Sequence, residues 1–340
     1  MTSVRFPWID HLKALGIFLV VAGHCGLSNE QHRWIYAFHM PLFFMISGFL
    51  LSPGAMDVST RTFFMRRVWK LVKLYVLFGL LGAAVYCYVF RHDHAFAENV
   101  GGRLWSLVYG SASEHTARDL YPMALWFFPG LITGLLITFA VWKIPSAWAR
   151  LGTMTAVVVT GFQMTDWALP WELESGCLAA GFLTLGHGAR ITDWNDFLRW
   201  AERRPALVVA AAALPLGSWL AVLNVNGLDL GMARIGNPML AIPACGLLLL
   251  SMTIIAMNLP AWMLSGAVAA ATILIFPTHQ LLFPYADRVA TKLGVANAGL
   301  PGCPSWYAWI KASAIVAATT VAHATYLRAK SARRAATATA

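Results

Sequence analysis

Apolar runs about twenty residues long, separated by short polar or basic segments, recur along the whole chain. A helix needs roughly 20 mostly apolar residues to cross the hydrocarbon of a bilayer. Ten windows reach that length once isolated polar positions are allowed: 9–27, 34–52, 68–90, 121–142, 151–167, 170–188, 206–224, 237–257, 263–284 and 306–327. The pattern predicts an all-α polytopic integral membrane protein, a bundle of about ten transmembrane helices. Gly and Pro recur inside the windows, at Pro129, Gly130, Pro215, Pro243 and Pro277. Bundles accept them because neighbouring helices satisfy the freed backbone groups. No internal repeat is evident, and the chain reads as one membrane-embedded domain over 1–328 with a basic, disordered tail over 329–340.

Composition supports the bilayer as solvent. Of 340 residues, 59% are hydrophobic and 12% charged, about half the charged share of an ordinary soluble domain. The formal net charge of +10 does not signal nucleic acid, because the basic residues fall in short clusters between apolar runs and form no continuous face. Placing both termini in the cytoplasm puts Arg66, Arg67, Lys70, Lys73, Lys143, Arg150, Arg190, Arg199, Arg203 and Arg204 on the inner side, as the excess of Lys and Arg in cytoplasmic loops requires. The first apolar run carries Asp10, Lys13 and His24 and no small-residue cleavage site, so it reads as a retained helix rather than a signal peptide. The five cysteines form no CxxC pair and are read as apolar filler.

Ionisable groups inside spanning helices are costly and therefore candidates for function. Lys13 and His24 are eleven residues apart, close to three helical turns, which places them on one face roughly 16 Å apart. Taken alone, the histidine would be a satisfied structural residue and the lysine would snorkel to the interface. His39 opens the second window and His279 lies near the outer end of the ninth, so three imidazoles are expected to share one polar cavity. An imidazole removes a proton from a hydroxyl at neutral pH, and a cavity screened from lipid suits that work. The spacing has neither HExxH nor CxxC regularity, and no metal is expected. Arg66, Arg67, Lys70 and Lys73 are spaced along the inner end of the third helix. They fit a diphosphate, a topogenic cluster or lipid headgroups. The outer connection from Arg91 to Leu120 holds His92, Asp93, His94, Glu98, Arg103, Glu114, His115, Arg118 and Asp119, and is read as a solvated loop able to contribute to recognition of a polar ligand.

Several segments together resemble the acyltransferase-3 family of membrane O-acyltransferases, in its branch similar to fucose 4-O-acetylases and exopolysaccharide acetyltransferases. Trp8-Ile9-Asp10-His11-Leu12-Lys13 running to Gly23-His24 looks like the family's motif of a basic residue, ten residues and a histidine, and Phe38-His39-Met40-Pro41-Leu42-Phe43-Phe44 with Ser47-Gly48 matches its second helix. Arg67-Val68-Trp69-Lys70, Leu125-Trp126-Phe127-Phe128-Pro129, Asn237-Pro238 and Ile275-Phe276-Pro277-Thr278-His279 add support. The resemblance implies transfer of an acyl group, most often acetyl, from cytoplasmic acetyl-CoA or another acyl-CoA to a sugar hydroxyl of an exported polysaccharide or its lipid-linked precursor. It implies a place in a bacterial cytoplasmic membrane, among membrane lipid and polysaccharide-assembly proteins.

Carried over residue by residue, it makes His24 the catalytic histidine, Lys13 its basic partner, and Arg66, Arg67 and Lys70 donor-binding groups. His39 assists catalysis, and Asp10, Trp126 and His279 are auxiliary or acceptor-binding. Two departures stand out. Lys13 replaces the family's common Arg, which keeps the charge and loses the planar fork, and Leu74 replaces a Pro before Tyr75, which implies a straighter third helix. A transporter or flippase for a lipid-linked glycan or small polar solute is the alternative from another class. It would use the same buried charges as a pathway, but such proteins often carry paired repeats.

Overall fold

The computed structural model describes residues 5–89, 100–111, 123–164, 167–192, 195–295, 297–299 and 303–338. Among these the chain is helical, and its one extended pairing is an isolated antiparallel bridge between Asp229 and Arg234. The helices are α1 (Pro7–Gly23), α2 (Asn29–Tyr36), α3 (His39–Phe49), α4 (Thr60–Phe63), α5 (Trp69–Val89), α6 (Val100–Tyr109), α7 (Phe127–Trp142), α8 (Ala147–Gln163), α9 (Leu173–Ile191), α10 (Asn195–Ala201), α11 (Arg204–Leu223), α12 (Pro238–Asn258), α13 (Met263–Lys292) and α14 (Ser305–Ala338).

Among the described residues each predicted window overlaps helix, which does not by itself show ten spans. Five segments among the described residues are both long and apolar enough to cross a membrane: Thr60–Val85, Ala124–Trp142, Arg204–Leu223, Pro238–Asn258 and Met263–Lys292. Their outward faces are apolar, with Leu77, Leu80, Val208, Trp219 and Ile242 exposed. Such a surface suits lipid and would be a liability in water.

The second window departs from a single span, because it is split into α2 and α3 at Ala37 and Phe38. The break falls four residues before Pro41, whose ring would clash with the Ala37 carbonyl if the helix ran on. A proline sits most readily in the first turn of a helix, and α3 starts two residues before Pro41, at His39. Over Phe64–Val68 a π turn joins α4 to α5. The segment after Arg328, expected to be disordered, continues α14 to Ala338; its Ala, Arg, Lys and Ser content carries little helix penalty. Helix α6 lies within the expected outer loop, whereas His92, Asp93, His94, Glu98, Glu114, His115, Arg118 and Asp119 lie outside the described residues.

Two glycines let α3 and α9 approach closely. Gly48 of α3 lies on the backbone of Leu183, and Gly186 of α9 lies on the backbone of Met45, so that a Cβ at either position would overlap a carbonyl. Close backbone approach through small residues is how helices associate in lipid, where hydrophobic driving force is absent. Helix α1 is central and touches α3, α12, α13 and α14. The last two helices are tied by Asp287, whose Oδ1 accepts from Lys311 Nζ at 3.0 Å and from Tyr307 at 2.8 Å.

Candidate active site

His24 is held by the way α1 ends. Gly26 takes φ +86°, a left-handed conformation that favours glycine, and Ser28 then starts α2 with a reciprocal capping box to Gln31. The helix therefore stops at Gly23 and leaves His24 as its C-terminal cap. Helix α2 is pinned to α11 by Trp34 Nε1 donating to Ser218 at 2.8 Å and by Arg33 donating to the Val222 carbonyl at 2.8 Å. That fixes Tyr36, whose hydroxyl reaches within 3.5 Å of His24 Nδ1.

The three imidazoles converge. The rings of His24 and His279 are 5.4 Å apart between centroids, and that of Tyr36 lies 6.2 Å from His24 and 4.7 Å from His39. His39 Nδ1 lies 2.8 Å from the Ile35 carbonyl, and His279 Nδ1 lies 2.7 Å from that of Phe276. A carbonyl only accepts, so both imidazoles carry their proton on Nδ1 and leave Nε2 with a free lone pair. Nε2 of His279 is buried and has no partner among the described residues.

A narrow cavity of about 30 Å³ is lined by His24, Tyr36, His39, Trp126, Asp229 and Gly231 among others, with His279 behind His24 and outside that lining. By volume it admits a water or two and excludes a sugar ring. Trp126 ends the short turn before α7, and its indole packs so closely on Gly231 that a Cβ there would overlap it.

Asp229 enters from the connection between α11 and α12. Asn224 holds that connection shut, donating to the Ile235 carbonyl and accepting from the Asn237 amide, each at 2.9 Å. Burial pushes the Asp229 carboxyl above the usual aspartate range, opposed by hydrogen bonds from the Gly231 and Met232 amides and by the charge of Arg234. Tyr36, Asp229 and Gly231 were not singled out in the sequence. Tyr36 stands one turn before His39 and was a detectable signal, whereas Asp229 sits in a connection that hydrophobic pattern leaves blank.

Lys13 is elsewhere. It lies at the other end of α1, on an open cleft of about 510 Å³ between α1 and the first turns of α13, together with Arg5, Asp10 and Gly266. Arg5 Nε donates to Asp10 at 2.7 Å, so the predicted Asp10 is ion-paired in this cleft and far along the helix from the imidazoles. The cleft therefore presents two cations and one carboxylate. Arg67 donates to Ser52 at 3.1 Å, while Arg66 and Lys70 are exposed. None of these three lines either cavity.

Comparison with curated proteins and with solved structures finds no match. A family model described as an acyltransferase domain matches residues 6–326, which takes in the lining of both cavities except Arg5. The chain belongs to the acyltransferase-3 family.

Proposed function

We propose that the protein is a membrane O-acyltransferase that moves an acetyl group from cytoplasmic acyl-CoA to a sugar hydroxyl of an exported polysaccharide or its lipid-linked precursor. In this reading the chain crosses a bacterial cytoplasmic membrane ten times with both termini inside. The observation that carries it is the division of α1 between a cationic cleft at Lys13 and an imidazole cavity at His24, because a charged donor and a neutral hydroxyl arriving from opposite sides need those two chemistries. Eleven residues of helix separate the two sites by about 16 Å. The pantetheine arm of CoA would span that distance between α1 and α13, with its phosphates at Arg5 and Lys13. Arg66, Arg67 and Lys70 would guide the donor from the inner surface.

At the other end, His24 takes the hydroxyl proton while the sugar oxygen attacks the thioester carbonyl. The carbon–sulfur bond then breaks, and the thiolate recovers the proton as a thiol. The C-terminus of α1 places the negative end of its dipole beside the imidazolium formed on the way. The cavity is too narrow for a ring, so the acceptor presents one hydroxyl at its mouth, against Trp126 and Asp229. A relay through an acylated imidazole uses the same histidine and differs in leaving label on the protein.

Proteoliposomes supplied with radiolabelled acetyl-CoA on one face and an oligosaccharide acceptor on the other test the reading. Label recovered on the sugar as a base-labile ester supports it. Movement of a labelled glycan across the bilayer without acetylation overturns it and favours the transporter.

A further inference from the structure

A third cavity lies where α1, α3, α9 and α12 meet, at the end of the bundle that carries the N-terminus. It measures about 310 Å³ and is lined by Trp8, Met45, Phe49, Leu185, Gly246 and Leu250, among others. Its α12 wall, Gly246, Leu249, Leu250 and Thr253, follows one helix face and is about 10 Å deep at 1.5 Å per residue. Leu185 and Gly246 are exposed at its mouth, so the cavity opens on the outer face of the bundle. A lining so short of polar groups cannot hold water well.

The rim differs from the interior. The guanidinium of Arg190 lies 4.8 Å from the ring centre of Phe6 and 5.5 Å from that of Phe49, a residue of the lining. Among the described residues no carboxylate pairs with Arg190, whereas Arg5 nearby in sequence to Phe6 is paired with Asp10. Two aromatic faces hold the guanidinium and leave its donor fork free for an anion with at least two oxygens. Helix α10, which contributes Phe197 to the cavity, is followed by Arg203 and Arg204 at the same end.

We propose that this cavity is a binding site for an anionic phospholipid, with one acyl chain between α3 and α12 and the phosphate on Arg190. The site is distinct from both the imidazole cavity and the Lys13 cleft, and it does not depend on the acyl-transfer reading. An anionic headgroup is selected over a zwitterionic one because Arg190 offers positive charge at the rim and, among the described residues, no carboxylate pairs with it.

Native mass spectrometry of the full-length protein tests this, after incubation with phosphatidylglycerol or with phosphatidylcholine of the same acyl chains. Wild type is expected to retain phosphatidylglycerol about fivefold more than phosphatidylcholine, the ratio that one basic group near a membrane surface supplies. Arg190→Gln should bring the two lipids level. At Gly246 an added Cβ meets nothing within 4 Å, so Gly246→Leu should fold and fill the cavity, and it should release both lipids while Gly246→Ala retains them. Equal retention of the two lipids by wild type, or undiminished retention by Gly246→Leu, would overturn the proposal.

Discussion

His24 and His279 come from the first and the penultimate helices, and their imidazoles stand 5.4 Å apart between centroids. His279 holds its proton on Nδ1 against the Phe276 carbonyl, so its Nε2, buried and without a partner among the described residues, is left as an acceptor. It can orient a proton that His24 moves, without itself being the base. His279→Ala should lower kcat about tenfold and leave KM for acyl-CoA unchanged, less than the roughly 10²-fold or greater loss expected of the base itself. Steady-state kinetics on purified protein separates the two, and equal losses at both positions would make them one unit.

Lys13 and His24 divide the donor and acceptor ends of α1. Lys13→Gln should raise KM for acyl-CoA about tenfold, with a smaller effect on kcat, because it removes a charge that binds donor in ground and transition states alike. Lys13→Arg should recover most of the affinity, since a planar guanidinium also serves a phosphate. A fall in kcat at unchanged KM would assign Lys13 to the chemistry instead.

Asp229 gives a stability signature of unusual sign. Its carboxyl is raised by burial, so the folded state binds the proton more tightly than the unfolded chain does. Stability is therefore lost as pH rises from the ordinary aspartate range, about 4, through the folded value. Asp229→Asn keeps the acceptor for the Gly231 amide and removes that loss. The variant should melt with wild type in acid and at or above it at pH 7, while transfer to the sugar falls about tenfold. A lower midpoint at pH 7 would show that the ionised carboxylate is a structural anchor.

The reciprocal contacts of Gly48 and Gly186 leave no room for side chains. Gly48→Val or Gly186→Val should destabilise the α3–α9 pair by about 3 kcal/mol, at the upper end of the usual overpacking range, because backbone rather than a flexible side chain is in the way. Thermal melting in detergent measures this. Substitution at Gly152, where nothing lies within 4 Å, should change the midpoint little.

Hydrophobic pattern located the helices because lipid imposes one requirement on every span. It could not show that the second window is interrupted, since the window 34–52 is itself apolar while Asn29–Arg33 of α2 lie before it, and the break goes with Pro41. The meeting of His24, His39 and His279 was legible because the alternation of spans puts all three towards the outer side of their windows. Tyr36 and Asp229 were not, because a phenol among aromatics and an aspartate in a connection look ordinary until α2 docks on α11 and Asn224 closes the connection. The Lys13 stripe was correct as helical spacing, while the cleft it enters depends on Arg5 and the start of α13, which no local pattern joins to α1.

The central claim is that His24 carries acyl transfer to a sugar. Its most direct test is the O-acetyl content of surface polysaccharide, by proton NMR, in a deletion strain complemented with wild type or with His24→Ala at matched membrane levels. The account predicts an ester signal that disappears in the deletion and returns with wild type alone. Restoration of that signal by His24→Ala, or polysaccharide that fails to reach the surface while its acetylation stays unchanged, would contradict it.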